Sequence, residues 1–125
     1  MKKIITTSDA PQAIGPYSQA VSYGDMVFVS GQLAIDPKTG NRIDGDIEKQ
    51  TKRVMENLKT IIEASGMTME NVLKCTCFLK NIEDFARFNT VYGSYFKKNP
   101  PVRETIEVSR LPKDGLVEIS AICGK

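Results

Sequence analysis

Two charged residues in strand-like runs are the first candidates for chemistry: Arg103, in Val102-Arg103-Glu104-Thr105-Ile106, and Glu118, in Leu116-Val117-Glu118-Ile119-Ser120. A guanidinium is a planar fork of donors that matches a carboxylate. A glutamate held nearby can position a water and relay a proton. The same two residues could instead pair with each other, or with Glu107, as an ion pair at an interface, and spacing alone leaves both readings open. Ser30-Gly31 ends another strand-like run. A glycine there lets a backbone N–H approach a ligand closely, or simply marks a bulge. Cys75 and Cys77 stand two apart. As a metal or redox pair they would need partners that the chain does not supply, since it has no histidine, no C-x-x-C and only Cys123 besides. Two small apolar groups on a buried strand face is the simpler reading.

The lack of histidine removes His-ligated zinc, Ser-His-Asp and Cys-His machinery, and any imidazole acid or base. Phosphate loops of the G-x-G-x-x-G or G-K-[ST] type are also missing, so no nucleotide cofactor is indicated. The net charge of +2 lacks the basic stripe expected of a nucleic-acid binder. No apolar run approaches the roughly 18 residues that span a bilayer. The start, Met1-Lys2-Lys3, meets Asp9 before any long apolar stretch and does not read as a signal peptide. Three thiols without a leader suggest a reduced, cytoplasmic setting. At 125 residues, 41% apolar and 26% charged, the chain is expected to form a single globular domain over 1–125, without cofactor.

The elements that must position these residues follow from periodicity. Residues 10–16, with two prolines and a glycine, read as an ordered loop. A short strand is expected over 17–21 and a second over 26–30. Asp36-Pro37-Lys38-Thr39-Gly40 reads as a turn. Apolar positions at spacings of three and four predict a helix over 46–65, capped by Asp44 or Asp46 and stopped by Gly66. Residues 72–80 alternate, with Leu73, Cys75, Cys77 and Leu79 on the buried side. Asn81 is expected to cap a second helix running to about Lys98, with Phe85, Phe88, Tyr92, Tyr95 and Phe96 down one side. This aromatic series could be a stacking surface, but at helical spacing it reads as core. Strands over 102–108 and 116–123 close the chain.

The order β-β-α-β-α-β-β predicts an α+β fold, one sheet with both helices on one face. Arg103, Thr105, Glu107, Glu118 and Ser120 are then expected together on the uncovered face. A sheet face that is half apolar and half charged commonly meets a partner, here a second copy.

Several blocks make the chain resemble the RidA (YjgF/YER057c/UK114) family over nearly its whole length. They include Ile14-Gly15-Pro16-Tyr17-Ser18-Gln19-Ala20, Val29-Ser30-Gly31-Gln32, Pro101-Val102-Arg103 and Arg110-Leu111-Pro112-Lys113-Asp114 with Val117-Glu118. The resemblance implies a chorismate-mutase-like fold. It also implies a homotrimer with sheets packed into a central barrel-like core and clefts between subunits. The implied activity is hydrolysis of enamines and imines, such as 2-aminoacrylate, 2-iminopropanoate and 2-iminobutanoate, to 2-keto acids and ammonia, which protects pyridoxal-phosphate enzymes. By the same resemblance Arg103 holds the substrate carboxylate and Glu118 positions the attacking water. Gly31 and Thr105 line the cleft, Tyr17, Ser30 and Asn89 are further cleft residues, and Phe88 forms an apolar wall. The chain departs from many relatives at Ser120, Thr105 and Glu104. Glu104 would compete for Arg103 if the two met, but alternation places them on opposite faces. Two other functions stand beside the deaminase. One is a module that binds a small 2-keto acid without turnover. The other is a ribonuclease or translation inhibitor, for which charge and composition give little support.

Overall fold

The computed structural model describes residues 1–125. It contains six strands and two principal helices: β1 (Lys3–Ile5), β2 (Ala20–Tyr23), β3 (Met26–Gln32), α1 (Ile47–Ala64), β4 (Val72–Leu79), α2 (Phe85–Gly93), β5 (Val102–Glu107) and β6 (Val117–Gly124). The strands form one mixed sheet in the order β1-β2-β3-β6-β4-β5. Only β4 and β5 run parallel, and α2 is the crossover that parallel neighbours require. Both helices pack on one face of the sheet, as the element order predicts.

Helix α1 begins where Asp46 accepts the Lys49 N–H at 3.0 Å, so Asp46 rather than Asp44 is the cap. It ends before Gly66, whose φ of +90° suits a residue without Cβ. Its inner face buries Val54, Met55, Leu58, Ile61 and Ile62 against Val27, Val29, Leu79, Val117, Ile119 and Ala121 of the sheet. Three polar side chains are buried with it. Asn57 donates to the carbonyls of Leu33 (3.1 Å) and Ile35 (3.0 Å), and the Gln50 carbonyl oxygen accepts from Leu116 N–H at 2.9 Å. All three bonds tie the helix to backbone beside the Glu118 strand. Gln19 does the same for the loop of residues 7–12. Its amide donates to Pro11 O at 2.7 Å and its carbonyl accepts from Thr7 N–H at 2.8 Å.

The structure departs from the sequence expectations at five places, four of them local. Strand β1, three residues long, was not expected; it pairs with β2 at the sheet edge. The strand predicted at 17–21 lies at Ala20–Tyr23, which leaves Tyr17 in the preceding loop. The second helix is shorter at both ends. Asn81 does cap its start, accepting from Glu83 N–H, but over a 3₁₀ turn at Ile82–Asp84, and regular helix ends at Gly93. Finally, β4 carries a bulge. Val72 pairs with Cys123 and Lys74 with Ile122, so Leu73 is the extra residue. Beyond a bulge the alternation restarts. Val72 therefore enters the core and Leu73 turns outward, the reverse of simple alternation.

The largest correction concerns β5. Parallel register sets Arg103 beside Cys75 and Thr105 beside Cys77. Both cysteines are buried beneath the helices, so Arg103 and Thr105 share the helix-covered side. Val102, Glu104 and Ile106 face the other way. Glu118 and Ser120 do lie on the uncovered face, alternating with buried Val117, Ile119 and Ala121. Period-two alternation fixes which residues share a side but not which side meets the helices. On an edge strand with apolar residues on one side and an arginine on the other, hydrophobicity points to the wrong one. Glu104 faces away from Arg103 as expected and pairs with Lys74 at 2.8 Å.

Candidate functional site

Arg103 is held by α2. Its Nη1 donates to Asn89 Oδ1 at 2.8 Å. Its guanidinium carbon lies 4.8 Å from the ring centre of Tyr92, 5.4 Å from Phe85 and 5.7 Å from Phe88. The face of an aromatic ring attracts a cation, and three rings with one amide fix this one. The only hydrogen bond of its guanidinium is to that neutral amide, so the rest of the fork is free for an anion. A cleft of about 510 Å³ opens beside it, lined by Asn89, Tyr92, Phe96, Pro100, Pro101 and Arg103. Thr105 follows on the same side, its hydroxyl buried and without a partner. Phe88 is fully buried beneath the guanidinium, a support for it rather than an open wall.

Glu118 sits on the opposite face of the sheet in a separate cleft of about 720 Å³ with Tyr17, Gly31, Leu33, Pro112 and Lys113 among its lining. β3 and β6 lose register between Val29 and Gln32, and Gly31 falls in that irregularity. A Cβ on Gly31 would overlap the Glu118 carboxylate. Glycine here lets the acid lie against bare backbone. Burial, the only influence acting on it, pushes the Glu118 carboxyl above its ordinary value. Ser30 stands at the same irregularity, but its hydroxyl donates to Gln19 O at 3.0 Å and accepts from Gln32 Nε2 at 3.3 Å. It secures the strand rather than reaching into the cleft.

The expected site residues thus fall into two groups: Phe88, Asn89, Arg103 and Thr105 on one side, Tyr17, Gly31 and Glu118 on the other. Arg103 shares a row with Cys75 and Ala121, whereas Glu118 shares one with Phe78. Three residues along a strand and two strands across give about 10 Å in each direction, on opposite sides of the sheet. One copy of the chain cannot bring both charges to one small molecule.

The three cysteines are free and buried. Burial pushes the Cys77 thiol up to about 12 and that of Cys123 to about 11, with Cys75 raised as well. They remain protonated and serve as packing. No three histidine, cysteine or acidic side chains come together as metal ligands would. No helix is long and apolar enough to cross a membrane.

Sequence spacing favours core over a stacking surface for Phe85 and Tyr92 and does not link them to Arg103. Their spacing with Phe88, around Asn89, already set them on one side of a helix; that this side meets an arginine depends on the β4–β5 register. Residues 112–113 entered the sequence reading only as a resemblance block, with no link to Glu118.

Residues 7–124 match the family model described as Endoribonuclease L-PSP. A RutC family protein of Pyrococcus horikoshii is 52% identical over 125 residues, covering 100% of this chain and 99% of its own. Among solved structures, Escherichia coli TdcF with bound serine superposes with a TM-score of 0.94 at 43% identity, covering 98% of each chain. RidA from an Antarctic Psychrobacter does so with a TM-score of 0.95 at 40% identity, covering 98% of this chain and 99% of its own.

Proposed function

Since the chain belongs to the RidA (YjgF/YER057c/UK114) family, we propose that it hydrolyses small 2-imino acids, and their enamine tautomers, to 2-keto acids and ammonia. The site is shared between two copies, one providing Arg103 and Asn89 and the other Glu118, Gly31 and Tyr17. The observation that carries this reading is the division of the site. A guanidinium in no ion pair faces one cleft, an acid in no ion pair faces another, and each supplies what the other lacks. The uncovered sheet face exposes Ile4, Phe28, Leu73, Val102 and Ile106, a surface suited to sheet-on-sheet packing of copies in a trimer. The serine bound to TdcF supports a ligand of amino-acid size.

The chemistry asks little of the protein. A protonated imine is already electrophilic at C2. Arg103, steadied by its aromatic rings, takes the substrate carboxylate through two parallel hydrogen bonds. Glu118, as the carboxylate, orients a water and accepts its proton while the oxygen bonds to C2. The resulting aminoalcohol collapses: Glu118 returns its proton to nitrogen, the C–N bond breaks as the hydroxyl gives its electron pair to a new C=O bond and its proton to the Glu118 carboxylate and then to solvent, and ammonia leaves a 2-keto acid. Holding acid, water and imine together supplies most of the benefit.

The test is a coupled assay in which a threonine dehydratase generates 2-iminobutanoate and keto-acid appearance is followed. The expected result is acceleration by this protein and its loss, by two orders of magnitude or more, in Arg103→Ala. A folded oligomer that gives no acceleration yet binds 2-ketobutyrate is instead a ligand-binding module. RNA cleavage that Glu118→Gln abolishes would favour the ribonuclease that the family model's description names.

A further inference from the structure

Two short turns face each other across the mouth of the Glu118 cleft. One spans Asp36–Gly40, closed by the Gly40 N–H donating to Asp36 O at 2.8 Å. The other is the 3₁₀ turn Pro112–Asp114 that leads into β6. Lys38, Thr39 and Gly40 of the first line the cleft, as do Pro112 and Lys113 of the second. The second turn is strained. Lys113 and Asp114 have φ of +57° and +54°, two successive left-handed residues that both carry side chains. Such a conformation persists only where surrounding contacts impose it.

Besides the turn's own backbone bonds, a residue from outside it contributes to those contacts. Arg42 Nε donates to Lys113 O at 2.8 Å, while Arg42 Nη1 donates to Ile43 O at 3.0 Å, anchoring the guanidinium to its own segment. In return Lys113 Nζ donates to Gly40 O at 3.1 Å. The remaining ion pair, Arg110–Asp114 at 2.9 Å, lies within the second turn and does not join it to the first. Arg42 does not line the cleft. Glu118 is held by its pairing with Phe78 of β4, and Gly31 by the pairing of Val29 and Gln32 on either side of it with β6, none of which involves this clasp.

We propose that Arg42 is a positioning residue of this site. By clamping the Lys113 carbonyl it holds the strained turn against the 36–40 turn, fixes the width of the cleft's outer rim, and so sets discrimination among substrate side chains. The proposal rests on the reading of the cleft as part of a 2-imino acid site. It separates two functions that a merely structural residue would not: chemistry at the floor, untouched, and selection at the rim.

The experiment compares wild type, Arg42→Ala and the double variant Arg42→Ala/Asp114→Gly. In the double variant a glycine relieves the left-handed strain. The first readout is amide hydrogen exchange at Asp114 and Gly115, whose N–H groups donate to Leu111 O and Pro112 O. The second is the kcat/KM ratio for 2-imino-4-methylpentanoate against 2-iminopropanoate. Arg42→Ala is expected to speed exchange at both amides and to shift the ratio about tenfold, the scale of a one- or two-methylene mismatch. Its kcat for 2-iminopropanoate should stay within about twofold, and the double variant should return the ratio toward wild type. Unchanged exchange overturns the clamp. Faster exchange with an unchanged ratio overturns its role in selection. Should the wild type turn over neither imine, the deaminase reading fails instead. The clamp is then judged by exchange together with the relative affinities of wild type and variant for 2-ketobutyrate and 4-methyl-2-ketopentanoate, and equal ratios in the two proteins overturn it.

Discussion

The proton transfer proposed for Glu118 depends on the surroundings of its carboxyl. Burial raises its carboxyl above the ordinary 4.5. As a base it must be ionised, so the acid limb of kcat/KM is expected above that value. The stability consequence has the opposite sense to that of a salt-bridged acid. Between the ordinary and the raised value the folded chain keeps a proton that the unfolded chain has lost. Stability therefore falls as pH rises through this window. Glu118→Gln should lose activity, and its urea midpoint should lack that fall, gaining on wild type as pH rises through the window. Parallel pH profiles for the two proteins would show that the carboxyl is not perturbed. Arg103 is prepared differently. Its charge is met by ring faces and an amide rather than a carboxylate, so it keeps its capacity for an external anion.

At the scale of elements, α1 positions the site without touching it. Asn57, fully buried, donates to the carbonyls of Leu33 and Ile35, and both of those residues line the Glu118 cleft. Asn57→Ala leaves two partly buried acceptors without this donor and is expected to cost about 1–3 kcal/mol in urea unfolding. A variant as stable as wild type would mean that water or a shifted side chain replaces the amide. The bulge at Leu73 works on β4 in a similar, local way. One extra residue exchanges Val72 for Leu73 in the core, and Leu73 joins the apolar surface of the uncovered face. The alternation of 72–80 was legible in the sequence, but the bulge was not, because nothing in Val72-Leu73-Lys74 distinguishes one apolar neighbour from the other.

At the scale of the molecule, the separation of Arg103 from Glu118 makes a prediction that few folds allow. Arg103→Ala and Glu118→Gln chains, each inactive alone, should regain activity when unfolded together and refolded as mixed oligomers. If each site takes its arginine from one chain and its glutamate from the neighbour, an equal random mixture restores about a quarter of the wild-type sites. Mixtures as inactive as their components would place both residues in one subunit's site and sink the shared cleft. The exposed apolar sheet face, with Lys74 and Glu104 paired on it, is the surface through which such mixing would occur.

The sequence by itself determined which residues are candidates for chemistry and which share a side. Both helices were legible from the 3.6-residue period, and four of the six strands lie close to their expected spans. Asp46 and Asn81 were legible as caps, and Glu118, Arg103 and Gly31 as candidates for chemistry. Tertiary structure decided what each side meets. A strand's alternation is symmetric, so only the parallel register of β4 and β5 places Arg103 beneath α2 and away from Glu118. The clasp of Arg42 on Lys113 joins residues 71 apart, and no local pattern encodes a contact at that distance. The left-handed turn it secures is likewise written in non-glycine residues, whose own preferences oppose it.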